Sequence, residues 1–100
     1  MDNEDEVLHA IRSGKPVFLL LYEPDSTLSH RAMSMMDIQG SRMRSYGCEV
    51  YRLPLREDPV YEEFSCVRTP QLRFFIRGKL ETKIVGVFDE SSLSECLKVM

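Results

Sequence analysis

The sequence has no long apolar run. Its longest, Val17 to Leu21, falls far short of the roughly 20 residues a membrane-crossing helix needs. It has no excess of positive charge. Thirteen Lys and Arg stand against sixteen Asp and Glu, a formal charge of -3, whereas a nucleic-acid binder is usually strongly basic. It has no signal-peptide pattern: the opening residues, MDNEDEVLHAIRSGK, are acidic and lack the basic start and apolar core of such a segment. The expectation is a cytoplasmic protein with no membrane and no nucleic acid among its partners. Cysteine is scarce, with Cys48, Cys66 and Cys96 far apart and odd in number. No Cys-x-x-Cys occurs, and no metal-ligand spacing. Free, mostly buried thiols follow from that, with no metal and no cofactor. There is no linker, repeat or low-complexity segment, so residues 1–100 read as one domain.

What is present is a regular alternation of patterns. Glu4 to Ser13 reads as a helix, with Val7, Leu8 and Ile11 on one face, acids in its first turn and Gly14 at its stop. Pro16 to Leu21 lacks polar alternation, as a strand covered on both faces would. From Ser26 to Tyr46 the period becomes helical, with Leu28, Ala32, Met35, Met36, Met43 and Tyr46 in step and a kink or break expected near Gly40. Glu49 to Leu53 alternates as a strand. Pro59 fits the first turn of a short helix from Asp58 to about Phe64. Gln71 to Arg77 and Leu80 to Val87 read as a hairpin turning at Gly78-Lys79, and Asp89 caps a last helix facing inward through Leu93, Cys96 and Leu97. Arginine outnumbers lysine nine to four, which suits bidentate carboxylate contacts. Arg31, Arg68 and Arg73 are candidates for a charged face; solvated surface charge is the plainer reading.

With these residues in this order, the chain resembles the thioredoxin superfamily. "KPVFLLLYEP" (Lys15–Pro24) is similar to that family's central strand and following turn. "VRTPQLRFFIRGKL" (Val67–Leu80) is similar to its loop and hairpin around a cis-proline, with Pro70 in that position. "KIVGVFDESSLSECL" (Lys83–Leu97) is similar to its last strand, glycine (Gly86) and closing helix. The resemblance implies an α/β fold, a three-layer α/β/α sandwich around a central mixed sheet with a C-terminal antiparallel hairpin. It also exposes a departure. The family's redox members carry Cys-Gly-Pro-Cys where this chain has Ser26-Thr27-Leu28-Ser29. Asp25 replaces the preceding aromatic, and Leu20 the buried acid.

A serine hydroxyl cannot form a disulfide, and it is far too weak an acid to give the anion that dithiol exchange needs. Ser26 fits an N-cap instead, with Asp25 an alternative one residue earlier. A serine nucleophile needs a base within reach. His30 adjoins Ser29 but does not share its helix face, His9 sits on the first helix, and no Gly-x-Ser-x-Gly elbow exists. His30 then reads as a surface helix residue.

The resemblance leaves a protein- or peptide-binding module, an adaptor, chaperone or complex subunit without redox activity. It would act by strand addition at the loop before Pro70. Thr69 would supply backbone contacts, and Tyr22, Pro24, Leu28 and Val67 an apolar floor. A homodimer through an exposed sheet edge or the methionine-bearing helix stays open, although Met33, Met35, Met36 and Met43 also serve as core filler. An alternative resemblance is to glutathione-transferase-type domains, with Ser26 holding the glutathione thiolate and Thr69 its backbone. The first helix, the late Glu90-Ser91 pair and the missing helical second domain speak against it. A third alternative is single-thiol chemistry at Cys66 beside Arg68; a buried structural cysteine is the plainer reading.

Overall fold

The computed structural model describes residues 3–55, 64 and 68–98. Along the chain run α1 (Glu4–Arg12), β1 (Val17–Tyr22), α2 (Thr27–Ser45), β2 (Glu49–Pro54), β3 (Gln71–Ile76), β4 (Lys79–Val85) and α3 (Glu90–Lys98). The four strands form one sheet in the order β2-β1-β3-β4. β1 pairs parallel with β2, antiparallel with β3, and β3 antiparallel with β4. This is the mixed sheet with a terminal hairpin that the sequence implies. The expected helix from Asp58 to Phe64 lies outside the described residues except for Phe64, which is buried.

β1 explains the layering. All six of its residues are buried, and side chains alternate across a strand. Val17, Leu19 and Leu21 join Val7, Leu8, Ala10 and Ile11 of α1 together with Leu53, Phe64 and Phe75. Phe18, Leu20 and Tyr22 join Ala32, Met36 and Met43 of α2 and Leu93, Cys96 and Leu97 of α3. One strand therefore belongs to two cores, and a continuous apolar run is the only pattern that satisfies both faces.

α1 starts at Asn3, whose side chain accepts the Glu6 N–H at 2.8 Å. It ends before Gly14, whose φ of 87° favours glycine. α2 departs from expectation in two ways. It runs unbroken through Gly40, which is itself buried. Docking Ala32, Met36, Gly40 and Met43 along one stripe outweighs a local penalty of about 1 kcal/mol for glycine. That same stripe, continued from Ser29, leaves Leu28 and Tyr46 on its flank, 50% and 51% exposed, so neither is a core residue. Met36 and Met43 are core filler, and Met33 and Met35 pack partly buried against that core. A Cβ added at Gly40 would meet only the Arg44 guanidinium, 2.9 Å away, and that group is free to swing. Gly40→Ala is therefore expected to raise stability by up to about 1 kcal/mol, read as a higher urea midpoint at unchanged slope.

The hairpin turns one residue earlier than expected. Ile76 opposes Lys79, so the two loop residues are Arg77 and Gly78, with φ of 55° and 80°. A two-residue loop of the type that matches strand twist needs positive φ at both positions. β4 stops at Val85 rather than Val87 because Gly86 (φ 95°) turns the chain while its N–H bonds the Pro70 carbonyl at 2.8 Å. Asp89 caps α3 as expected, its carboxylate accepting the Ser92 N–H at 2.8 Å. That bond, first among its contacts, holds the carboxyl below its usual range.

Candidate functional site

At the C-terminal end of β1 the chain leaves the sheet through Glu23, Pro24 and Asp25, all exposed, and enters α2. The turn closes with the Ser26 N–H on the Glu23 carbonyl, 3.1 Å. Ser26 is the N-cap: its backbone is extended, and its hydroxyl accepts the Ser29 N–H at 3.2 Å. Asp25 does not take that role. Ser29 is fully buried, and its hydroxyl accepts the Glu23 N–H at 3.0 Å. His30 is exposed and its Nε2–H donates to the Pro24 carbonyl at 2.6 Å, which fixes the tautomer because a carbonyl only accepts. The imidazole is thus spent on the backbone of the turn, not on Ser26 or Ser29.

Across from this turn stands the loop before β3. The Thr69–Pro70 peptide bond is cis. Pro70 is buried, and Thr69 donates its hydroxyl to the Glu23 carboxylate at 2.6 Å. The N–H and C=O of Thr69 have no hydrogen-bond partner among the described residues. Two loops 46 residues apart are thus clasped by one side-chain bond, beside the Thr69 backbone groups.

Of the residues the sequence singled out, Pro24, Ser26, Thr69 and Pro70 belong to these two loops, and Leu28 and Ser29 to the first turn of α2 that follows Ser26. Tyr22 lies mostly in the core, 8% exposed. Arg31 and Arg68 are exposed, and Arg73 is half-buried with its Nε on Gln71 at 2.6 Å. Cys66 and Val67 lie outside the described residues. Glu23 was missed, although it is the hub of the turn. Its signal was a lone acid between a buried strand and a proline, but no local pattern could pair it with Thr69.

Elsewhere the chemistry is quiet. Cys48 and Cys96 are free and buried in the same core. Burial, with Cys96 nearby, pushes the Cys48 thiol up to about 11. Burial also raises Cys96, against a hydrogen bond from Thr82. Neither offers a thiolate near neutral pH. A cavity of about 540 Å³ near the start of β2, at the far end of β1 from the turn, is lined by Lys15, Arg44 and Gly47 to Tyr51. Lys15 pairs with Glu49 there at 3.2 Å, and the Tyr51 hydroxyl bonds the same carboxylate. Those contacts, Tyr51 first, hold Glu49 below its usual range. Among the described residues no group of His, Cys, Asp and Glu could hold a metal ion, and no helix is long and apolar enough to cross a membrane.

Ser26 makes a quantitative prediction. Losing the cap in Ser26→Ala should cost about 1 kcal/mol, while Ser26→Asp should stay near wild type. Urea denaturation of the two variants checks both.

No protein-family model matches the sequence, and no curated protein does. Solved structures do match. A thioredoxin mutant from Halobacterium salinarum superposes with a TM-score of 0.76 at 15% identity, over 99% of this chain and 86% of the other. Mitochondrial thioredoxin 3 from Saccharomyces cerevisiae gives 0.72 at 17%, over 100% and 92%. Thioredoxin O2 from Arabidopsis thaliana gives 0.71 at 16%, over 96% and 84%. The chain has the thioredoxin fold. Within that fold, α2 begins at Thr27 behind its cap Ser26, and the turn that leads into it is joined to the Thr69–Pro70 loop through Glu23. The thioredoxin-fold neighbours are redox proteins, and at these identities the likeness is one of fold alone.

Proposed function

We propose that this chain is a single redox-inactive thioredoxin-fold module that binds an extended peptide or protein segment at the Thr69–Pro70 loop, as an adaptor, chaperone or complex subunit in the cytoplasm. The observation that carries the reading is that the N–H and C=O of Thr69 have no partner among the described residues. Strand addition takes its affinity from such main-chain groups, and it needs no thiol. The Glu23–Thr69 clasp supports it by holding the loop in one conformation before a partner arrives, so less ordering is lost on binding. Redox inactivity is supported by Ser26 and Ser29. We assign them to the positions where redox members of this fold carry two cysteines, and here one caps the helix and the other is a buried acceptor. The free, buried Cys48 and Cys96 suit a reducing compartment.

A cysteine-free peptide library displayed on phage, followed by amide NMR titration with the selected peptides, tests the reading. Shifts at Glu23, Thr69 and Gln71 are expected. Failure to select peptides, shifts confined elsewhere, or robust insulin reduction by the wild-type protein would overturn it. Reduced glutathione serves as the competing probe: saturable shifts at Ser26 and Thr69 would favour thiol binding by the Ser26 hydroxyl.

A further inference from the structure

Among the described residues no strand pairs with the outer edge of β4. Its residues are half-buried or exposed, and Leu80, Val85 and the following Val87 keep 49%, 47% and 43% of their surface in water. Three of the six large apolar residues exposed among the described residues thus lie on this strand and its exit. Exposed apolar edges invite pairing, and lysines on an edge commonly guard against it. Lys83 is such a lysine. It is exposed and has no acidic partner among the described residues, and Glu81, two residues earlier, is exposed and has no basic one among them. The pairing of β4 with β3 steps from Thr82 opposite Phe74 to Leu80 opposite Phe75. It passes over Glu81, which has no counterpart in β3.

A second copy of β4 resolves these features together. Laid antiparallel about a two-fold axis through Thr82, it sets Glu81 opposite Lys83 of the second copy and Lys83 opposite its Glu81. Glu81, Lys83 and Val85 are exposed while Thr82 and Ile84 between them are half-buried, so Glu81 and Lys83 share the outward face and both ion pairs form on it. The sequence Glu-Thr-Lys is self-complementary under this symmetry, which is what an isologous interface requires. The guarding lysine becomes the pairing residue. We infer that the chain associates with itself through β4, joining two four-stranded sheets into one of eight. Because the two β4 strands run in opposite directions, the Thr69–Pro70 loops lie at opposite ends of the joined sheet. Each copy keeps its own loop open, so this interface stands or falls independently of peptide binding.

Sedimentation velocity over a concentration series tests it. Wild type should rise from 11.6 kDa toward twice that mass. Glu81→Lys and Lys83→Glu each put like charges opposite one another twice per dimer. Each should weaken association by about tenfold or more, from two reversed cross-strand pairs. The double swap, Glu81→Lys with Lys83→Glu, restores opposite charges and should restore the dimer, as should an equimolar mixture of the two single variants. Wild type that stays at 11.6 kDa up to millimolar chain overturns the inference. So does a dimer indifferent to the single substitutions, or folded single variants that neither the swap nor mixing rescues.

Discussion

Phe74→Ala is expected to cost about 3–5 kcal/mol, a large part of the roughly 5–15 kcal/mol that holds a domain of this kind together. Phe74 is almost fully buried at the centre of the sheet. It lies directly opposite Phe18 in the pairing of β1 with β3, and the two rings stack with centroids 4.4 Å apart at 20°. Such a contact adds about 0.5–1.5 kcal/mol beyond the area it buries. The rings face α2 and α3. Removing one opens a cavity under both helices, in a region where two strands and two helices would have to move together to close it. Phe74→Leu keeps most of the volume and should lose less. Urea denaturation of the two variants at unchanged slope checks the ranking. A loss below 1 kcal/mol for alanine would mean that the α2-side core is not packed as described.

Ser29→Ala should cost about 1–3 kcal/mol and should also loosen the Thr69–Pro70 loop. The hydroxyl of Ser29 is fully buried and receives the Glu23 N–H. Alanine lacks only the hydroxyl oxygen, fits the same space and accepts nothing. A part-buried donor left without a partner carries its full desolvation penalty, which exceeds the worth of an average hydrogen bond. The second effect follows from connectivity. Glu23 is held at its N–H by Ser29, and it holds Thr69 through its carboxylate. Freeing the first bond lets the second drift. Faster amide exchange at Glu23, together with weaker binding of any selected peptide, is the expected pair of observations. A variant that loses stability but keeps its affinity would separate the turn from the Thr69–Pro70 loop.

The elements themselves were legible because their signals are local. A continuous apolar run such as PVFLLL reads as a strand buried on both faces, and β1 is one. Asp89 and Ser26 read as caps because a short polar side chain before a helical pattern has one cheap use, and both cap. The absence of Cys-x-x-Cys, and with it of dithiol chemistry at the start of α2, was a matter of counting.

What the sequence left open were properties that residues acquire from distant neighbours. Gly40 carries a real local penalty, yet α2 passes through it, because docking on the sheet outweighs it. Leu28 and Tyr46 keep helical spacing but stand in water; periodicity gives a face only to within a residue or so, and the sheet selects the stripe. The hairpin turn shifted by one residue because two consecutive positive φ angles had to be found. The hub role of Glu23 was invisible, since its partner lies 46 residues away. Composition and period thus determined by themselves the order of the described helices and strands, the buried central strand and the lack of a Cys-x-x-Cys pair. Only the tertiary structure decided which groups were clasped together, because Glu23 and Thr69 meet only when two loops come together across the end of a sheet.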